Sequence, residues 1–305
     1  MAIRSARLRR PSTRERSEWA LFALLVSPNL FLLAAFTFWP MILNIYLSFV
    51  EVIGFGDGAE TRWVGLANYV SVFSDSVFRK VLLNTLTFTG ACVFATLALG
   101  LGLAMLLNQP LTWRNGARAV LFTPNVLSGA AISIVWIYIF DPRYGLLQEI
   151  LGWAGIASPQ WLNRPQWAIW AVVIVYVWKN LGYAVVIYLA GLQAIDKTLY
   201  EAASIDGAGS WARFRYVTVP GLSPILFFLV VTSILSCFQA FDIIRVMTQG
   251  GPVNSTNTLV YFLYERGFER NLPGPAGVVA VVLFLVMLIL TILQLRFVER
   301  RVNYS

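Results

Sequence analysis

Glu201-Ala202-Ala203-Ser204-Ile205-Asp206-Gly207-Ala208, followed by Phe214 and Pro220, is a polar, glycine-punctuated stretch between two long apolar runs. Its local chemistry reads as helix, turn, helix. Thr198 followed three residues later by Glu201 fits a capping box, in which the two side chains satisfy free N–H groups of the first turn. Ala202, Ala203 and Ile205 continue that helix, and Gly207 ends it where the backbone needs a positive φ. Ser210 caps a second short helix carrying Trp211 and Phe214. Pro220, which has no N–H, restarts the chain towards the next apolar run. Two short helices then meet at a turn and display their apolar side chains, a shape suited to a groove on a partner subunit.

The flanking composition fixes the class. Of 305 residues, 58% are hydrophobic and 12% charged, too little polar surface for a soluble protein of this length. The excess of 23 Lys and Arg over 15 Asp and Glu lies mostly beside apolar runs, a pattern of membrane topology rather than of a nucleic-acid-binding face. There is no histidine, which excludes His-based catalysis and His metal sites. Cys92 and Cys237 sit inside apolar runs and read as small packing residues. No Gly-x-x-x-x-Gly-Lys-Ser/Thr phosphate loop occurs, so the chain does not hydrolyse ATP. Carboxylates are scattered, without the pairing that general acid–base work needs. The chain is not an enzyme by itself, and its energy comes from a partner.

Six membrane-spanning helices are expected, in an all-α integral membrane protein. A basic segment, 1–18, precedes a first span at 19–49, where Pro28 and Pro40 kink the helix or mark its ends. That run is too long for a signal-peptide core. A polar loop follows to residue 80, and the remaining spans cover about 81–107, 120–140, 167–192, 225–247 and 277–295. The second span carries Ala98 with Gly102 and Gly100 with Ala104, spaced for close helix approach or for ordinary membrane packing. The third span has Pro124 and Asn125 near its start. An even number of spans puts both termini, the Arg114–Arg118 loop and residues 195–220 on one side, which the positive-inside rule makes cytoplasmic.

Intramembrane polar groups are the candidates for a solute path: Lys179, Asn180 and Tyr183 in the fourth span, Gln239 and Asp242 in the fifth. A charge in the bilayer must face a cavity or a counter-charge. Lys179 and Asp242 therefore either line a polar path or pair with each other or with Arg245.

Glu-Ala-Ala-x-x-Asp-Gly-Ala, with Phe214 and Pro220 at this spacing, resembles the EAA loop of binding-protein-dependent ABC importer permeases. The resemblance implies a type I importer transmembrane domain over 81–298, preceded by an extracytoplasmic loop at 50–80 and followed by a cytoplasmic end at 299–305. It implies that Glu201, Ala202, Ala203, Asp206, Gly207, Ala208, Phe214 and Pro220 form cytoplasmic coupling helices within 195–220, seated in a cleft of the ATP-hydrolysing subunit. It also implies the partners: a second homologous permease, a dimer of ATP-binding subunits, and an extracytoplasmic substrate-binding protein. ATP and Mg would be held by the ATPase, with no cofactor in this chain, and the bacterial inner membrane would be the location.

Further segments narrow the resemblance. Val64-Gly65-Leu66-Ala67-Asn68-Tyr69 and Gly250-Gly251-Pro252-Val253, with Thr256, Thr258, Leu259 and Tyr261, are similar to segments of carbohydrate-uptake permeases. The ending Gln294-Leu295-Arg296-Phe297-Val298-Glu299-Arg300-Arg301-Val302-Asn303-Tyr304 resembles that of glycerol-3-phosphate permeases. The implied function is uptake of sn-glycerol-3-phosphate or glycerophosphodiesters by alternating access, with a sugar or oligosaccharide as the alternative. In this family Trp178-Lys179 and Phe241-Asp242 look like shared positions that serve gating or architecture rather than substrate choice. A secondary transporter would need matched halves with broken helices, which the sequence does not show, and a membrane scaffold would have no use for the EAA stretch.

Overall fold

The computed structural model describes residues 13–54, 60–110, 112–294 and 296. The basic residues Arg4 to Arg10, residues 55–59 of the polar loop and most of the C-terminal ending lie outside the described residues. Five helical segments are long and apolar enough to cross a bilayer, or six when a pair bent by 104° counts as one span.

The first span is α1 (Thr13–Leu33), a π-helical turn (Ala34–Phe38) and α2 (Trp39–Leu47). Pro28 sits inside α1 without interrupting it, whereas Pro40 follows the wide turn. In that turn the Trp39 N–H reaches back five residues to the Ala34 carbonyl, which accommodates the bond and the space that Pro40 removes. Only α2 packs firmly on the rest of the chain, against the last span.

The polar stretch after it is not a plain loop. Strands β1 (Val50–Ile53) and β2 (Glu60–Trp63) pair antiparallel, and α3 (Ala67–Ser74) follows. The Val64–Tyr69 segment ties the base of this hairpin. Asn68 Nδ2 donates to the carbonyls of Ser48 (3.1 Å) and Val50 (2.9 Å), and the Tyr69 hydroxyl bonds Ser48 Oγ at 2.8 Å.

Helix α4 (Ser76–Leu107) is capped by Asp75, whose carboxylate accepts from the Val77 N–H at 2.8 Å. It pairs along its length with α8 (see below), and the small residues divide by face. Gly100 lies against Ala184 and Tyr188, and Ala104 is buried beside it, whereas Ala98 is exposed and Gly102 meets open space.

The third span departs from the expected straight helix. It is two helices, α5 (Arg114–Val126) and α6 (Gly129–Ile139), bent by 104°. Pro124 removes a hydrogen bond near the end of α5, Leu127 and Ser128 are extended, and Gly129 starts a new helix. After the short α7 (Leu146–Trp153) comes α8 (Pro165–Ala194), the most buried span, then α9 (Lys197–Ile205) and α10 (Ser210–Arg213). A π-helical turn (Phe214–Thr218) leads through α11 (Val219–Gly221) into α12 (Ser223–Phe238). The fifth span also breaks, at Gln239–Phe241, before α13 (Asp242–Met247). α14 (Leu259–Tyr264), a third π-helical turn (Glu265–Glu269) and α15 (Pro273–Leu293) complete the chain.

Three apolar clusters hold these elements. One joins α4, α6, α8 and α13 around Phe88, Ile132, Tyr176 and Ile243. A second joins α4, α8 and α12 around Ala104, Tyr188 and Leu229. The third joins α3, α4, α14 and α15 around Phe78, Phe262 and Val278.

Candidate functional site

The EAA segment forms the helical hairpin, with a different start. The N-cap of α9 is Asp196, not Thr198: Asp196 Oδ1 accepts from the Thr198 N–H at 2.9 Å. Ile195 and Asp196 are both extended, so the helix begins two residues earlier than a Thr198–Glu201 capping box requires. The Thr198 N–H and, secondarily, its hydroxyl hold the Asp196 carboxyl below its usual range. Glu201 is consequently a mid-helix residue, exposed and without a partner among the described residues.

The turn follows the sequence reading. Gly207 has φ +76°, the Ala208 N–H reaches the Ala203 carbonyl (2.8 Å), and the Gly207 N–H reaches that of Ser204 (3.1 Å). That pair of bonds is a Schellman ending. No atom would crowd a Cβ at Gly207, so the demand for glycine is conformational rather than steric. Gly209, not Ser210, precedes the second helix, and Ser210 makes no capping bond. Pro220 lies in the first turn of α11, a turn at Leu222 leads into α12, and the wide turn before Pro220 repeats the device seen before Pro40.

Two cross-braces stiffen the hairpin. The Tyr200 and Thr218 hydroxyls bond at 3.0 Å, and Arg213 Nη1 donates to Ser204 Oγ at 3.1 Å. Leu199, Ile205, Trp211 and Tyr216 remain exposed, Ile205 at 86%. Ala202 and Asp206 share that exposure, while Ala203, Ala208, Phe214 and Pro220 are half-buried. The result is a braced hairpin with Leu199, Ile205 and Tyr216 exposed and Trp211 against the ring of Phe214.

Within the spans lies a polar cleft of about 290 Å³ between three helices. α4 supplies Thr96, α8 supplies Tyr176, Asn180 and Tyr183, and α12 supplies Thr232, Ser233, Ser236 and Cys237. Asn180 Nδ2 donates to the Tyr176 carbonyl (2.8 Å), and Thr96 Oγ1 is buried with no partner. A larger groove of about 440 Å³, lined by Leu127, Ile132, Trp136 and Trp178, offers a polar solute almost nothing to bond.

The five expected path residues separate. Asn180 and Tyr183 line the cleft, whereas Lys179, Gln239 and Asp242 stand at the helix breaks. The expected ion pairs are not formed among the described residues. Lys179 donates to the Asn125 carbonyl (3.3 Å), Asp242 accepts from the Ile243 N–H (2.9 Å), and Arg245 pairs with Glu269 at 2.7 Å. Cys92 and Cys237 are buried free thiols. The cleft residues missed from sequence are Thr96, Tyr176, Thr232, Ser233, Ser236 and Cys237; Tyr176 stands at helical spacing from Asn180 and Tyr183, and the four on α12 share a helical face.

Residues 96–304 match the family described as "Binding-protein-dependent transport system inner membrane component". The chain belongs to this family. The permease is 36% identical over 283 residues to the sn-glycerol-3-phosphate transport system permease protein UgpA of Yersinia pestis, covering 92% of this chain and 95% of the relative. Among solved structures it superposes on a bacterial ABC transporter involved in the import of the acidic polysaccharide alginate, with a TM-score of 0.80 at 22% identity, covering 93% of this chain and 96% of that one. The same transporter, in complex with its alginate pentasaccharide-bound periplasmic protein, gives a TM-score of 0.78 at 22% identity and the same coverage. The permease is thus a membrane transport component of an ABC importer, not an enzyme.

Proposed function

We propose that this permease carries sn-glycerol-3-phosphate or a glycerophosphodiester. The observation that carries the reading is the chemistry of the cleft, whose wall offers the hydroxyls of Thr96, Tyr176, Tyr183, Thr232 and Ser233 and the amide of Asn180. Such groups suit glycerol hydroxyls and donate to phosphate oxygens. The near full-length similarity to glycerol-3-phosphate permeases supports the same substrate class. A neutral sugar is the second reading, favoured by the absence of any charged side chain from the cleft lining.

The remaining parts of the machine follow. ATP and Mg are bound by a dimer of partner ATPases, into whose clefts the 195–220 hairpin seats, and a second homologous permease completes the path. An extracytoplasmic binding protein delivers the solute. Both termini and the hairpin are cytoplasmic, in a bacterial inner membrane, with Glu201 reaching a basic group on the ATPase. The test is uptake of labelled glycerol-3-phosphate into proteoliposomes holding the assembled importer. Competition by glycerophosphodiesters and not by disaccharides is expected, and transport of a neutral disaccharide unaffected by glycerol phosphates overturns the substrate.

A further inference from the structure

Lys179 and Asp242 lie within the spans and find no ionic partner among the described residues. A charge in that setting requires compensation. The broken third span supplies it with matched signs. Asn125 lies in the last turn of α5, where unpaired carbonyls make the helix end negative, and its carbonyl accepts from Lys179. Gly129 is the first residue of α6, where unpaired N–H groups make the end positive, and the Asp242 carboxylate lies against it. A Cβ on Gly129 would stand 1.8 Å from Asp242 Oδ2, so only glycine admits the carboxylate there.

The two helix ends make different principal contacts, although α6 and α13 share an apolar cluster with α8. α5 packs on α8 so closely that a Cβ on Gly182 would stand 2.0 Å from the Leu121 carbonyl oxygen. α6 packs chiefly on α13, whose first residue is Asp242, and both also touch α8. The fifth span breaks immediately before Asp242, so the breaks of the third and fifth spans meet at the Gly129–Asp242 contact. We propose that Lys179 and Asp242 are positioning residues, each neutralising one end of the broken third span. They set its bend, the joint about which α6 turns relative to α5 during transport.

The test uses the assembled importer with Cys92 and Cys237 replaced by Ala and a single reporter, Ser128→Cys, at the bend. Ser128 makes no capping bond, so the reporter disturbs little. Maleimide labelling of the reporter is timed in the resting complex and in the complex trapped with ATP and vanadate. Different rates in the two states are expected, and equal rates overturn the proposal. Asp242→Asn and Lys179→Gln should each shrink that difference by roughly five- to thirtyfold, the scale of a charge at a partly buried helix end. The losses should multiply in the double variant, because each charge answers to its own helix end. A double variant no worse than either single variant, or full function after the reciprocal exchange Lys179→Asp with Asp242→Lys, would reveal a direct ion pair and overturn the proposal. If Asp242→Asn does not assemble, Gly129→Ala keeps both charges and displaces the carboxylate. It should shrink the same difference, and unchanged labelling in that variant also contradicts the proposal.

Discussion

Glu201 shows how a single residue changes meaning between sequence and structure. The capping box gave it a local job, but Asp196 takes the cap and leaves Glu201 exposed and unpartnered. The reason is local: the Asp196 side chain, two residues before Thr198, accepts from the Thr198 N–H that a box would give to the Glu201 carboxylate. Glu201→Gln therefore tests docking without a folding effect. It should reach the membrane at normal levels and lose about tenfold or more in coupled transport, the scale of a lost charge-assisted contact. Uptake and ATPase co-purification check this. Gly207 was legible because its demand is conformational. Gly207→Val should cost about 1–2 kcal/mol in the left-handed region, and Gly207→Asn should cost less, read as thermal stability of the complex. Asp196 carries a pH prediction. Its folded pKa is depressed, so its capping contribution is complete above the unfolded value and is lost as pH falls through the folded value. Amide exchange in the first turn of α9 should accelerate only in acid, and Asp196→Asn should remove that dependence while keeping the cap.

At the scale of elements, apolar runs were legible because their length is set by bilayer thickness, and five of the six expected spans correspond to single apolar helical spans among the described residues. The sharp bend of the third span and the short break in the fifth had no sequence signal that was read. Pro124 looked like an ordinary start-of-helix proline, but the 104° bend follows from extended Leu127 and Ser128 and from contacts with Lys179 and Asp242 that lie about fifty and over a hundred positions further along. Such partners leave no local signal. The small-residue pairs make the same point, since spacing alone cannot tell the inward Gly100–Ala104 pair from the outward Ala98–Gly102 pair. Helix contact then predicts a contrast. Gly182→Ala would drive a Cβ into the Leu121 backbone and should destabilise by about 1–3 kcal/mol. Gly102→Ala meets open space and should be neutral or slightly stabilising. Thermal unfolding of the two variants in detergent decides between them, and equal stabilities would contradict the packing described for α5 and α8.

For the whole molecule, the membrane class and the importer family were readable from composition and from one fixed-spacing stretch, because both signals are local. The cleft was half legible: Asn180 and Tyr183 stood out as polar groups in an apolar helix, while the hydroxyls of Thr96, Thr232 and Ser233 were not among the expected path residues. The first span and the apolar tip of the hairpin are surfaces that the chain alone leaves uncovered, as expected of one subunit in a larger assembly. On this account the hairpin is the lever between permease and motor. The direct test is a photocrosslinking amino acid at Ile205, the exposed tip of α9, activated in intact membranes bearing the assembled importer. The account predicts a single adduct with the ATP-hydrolysing subunit, weakened by Glu201→Gln. An adduct confined to lipid or to an extracytoplasmic protein, with the ATPase unlabelled, would contradict it.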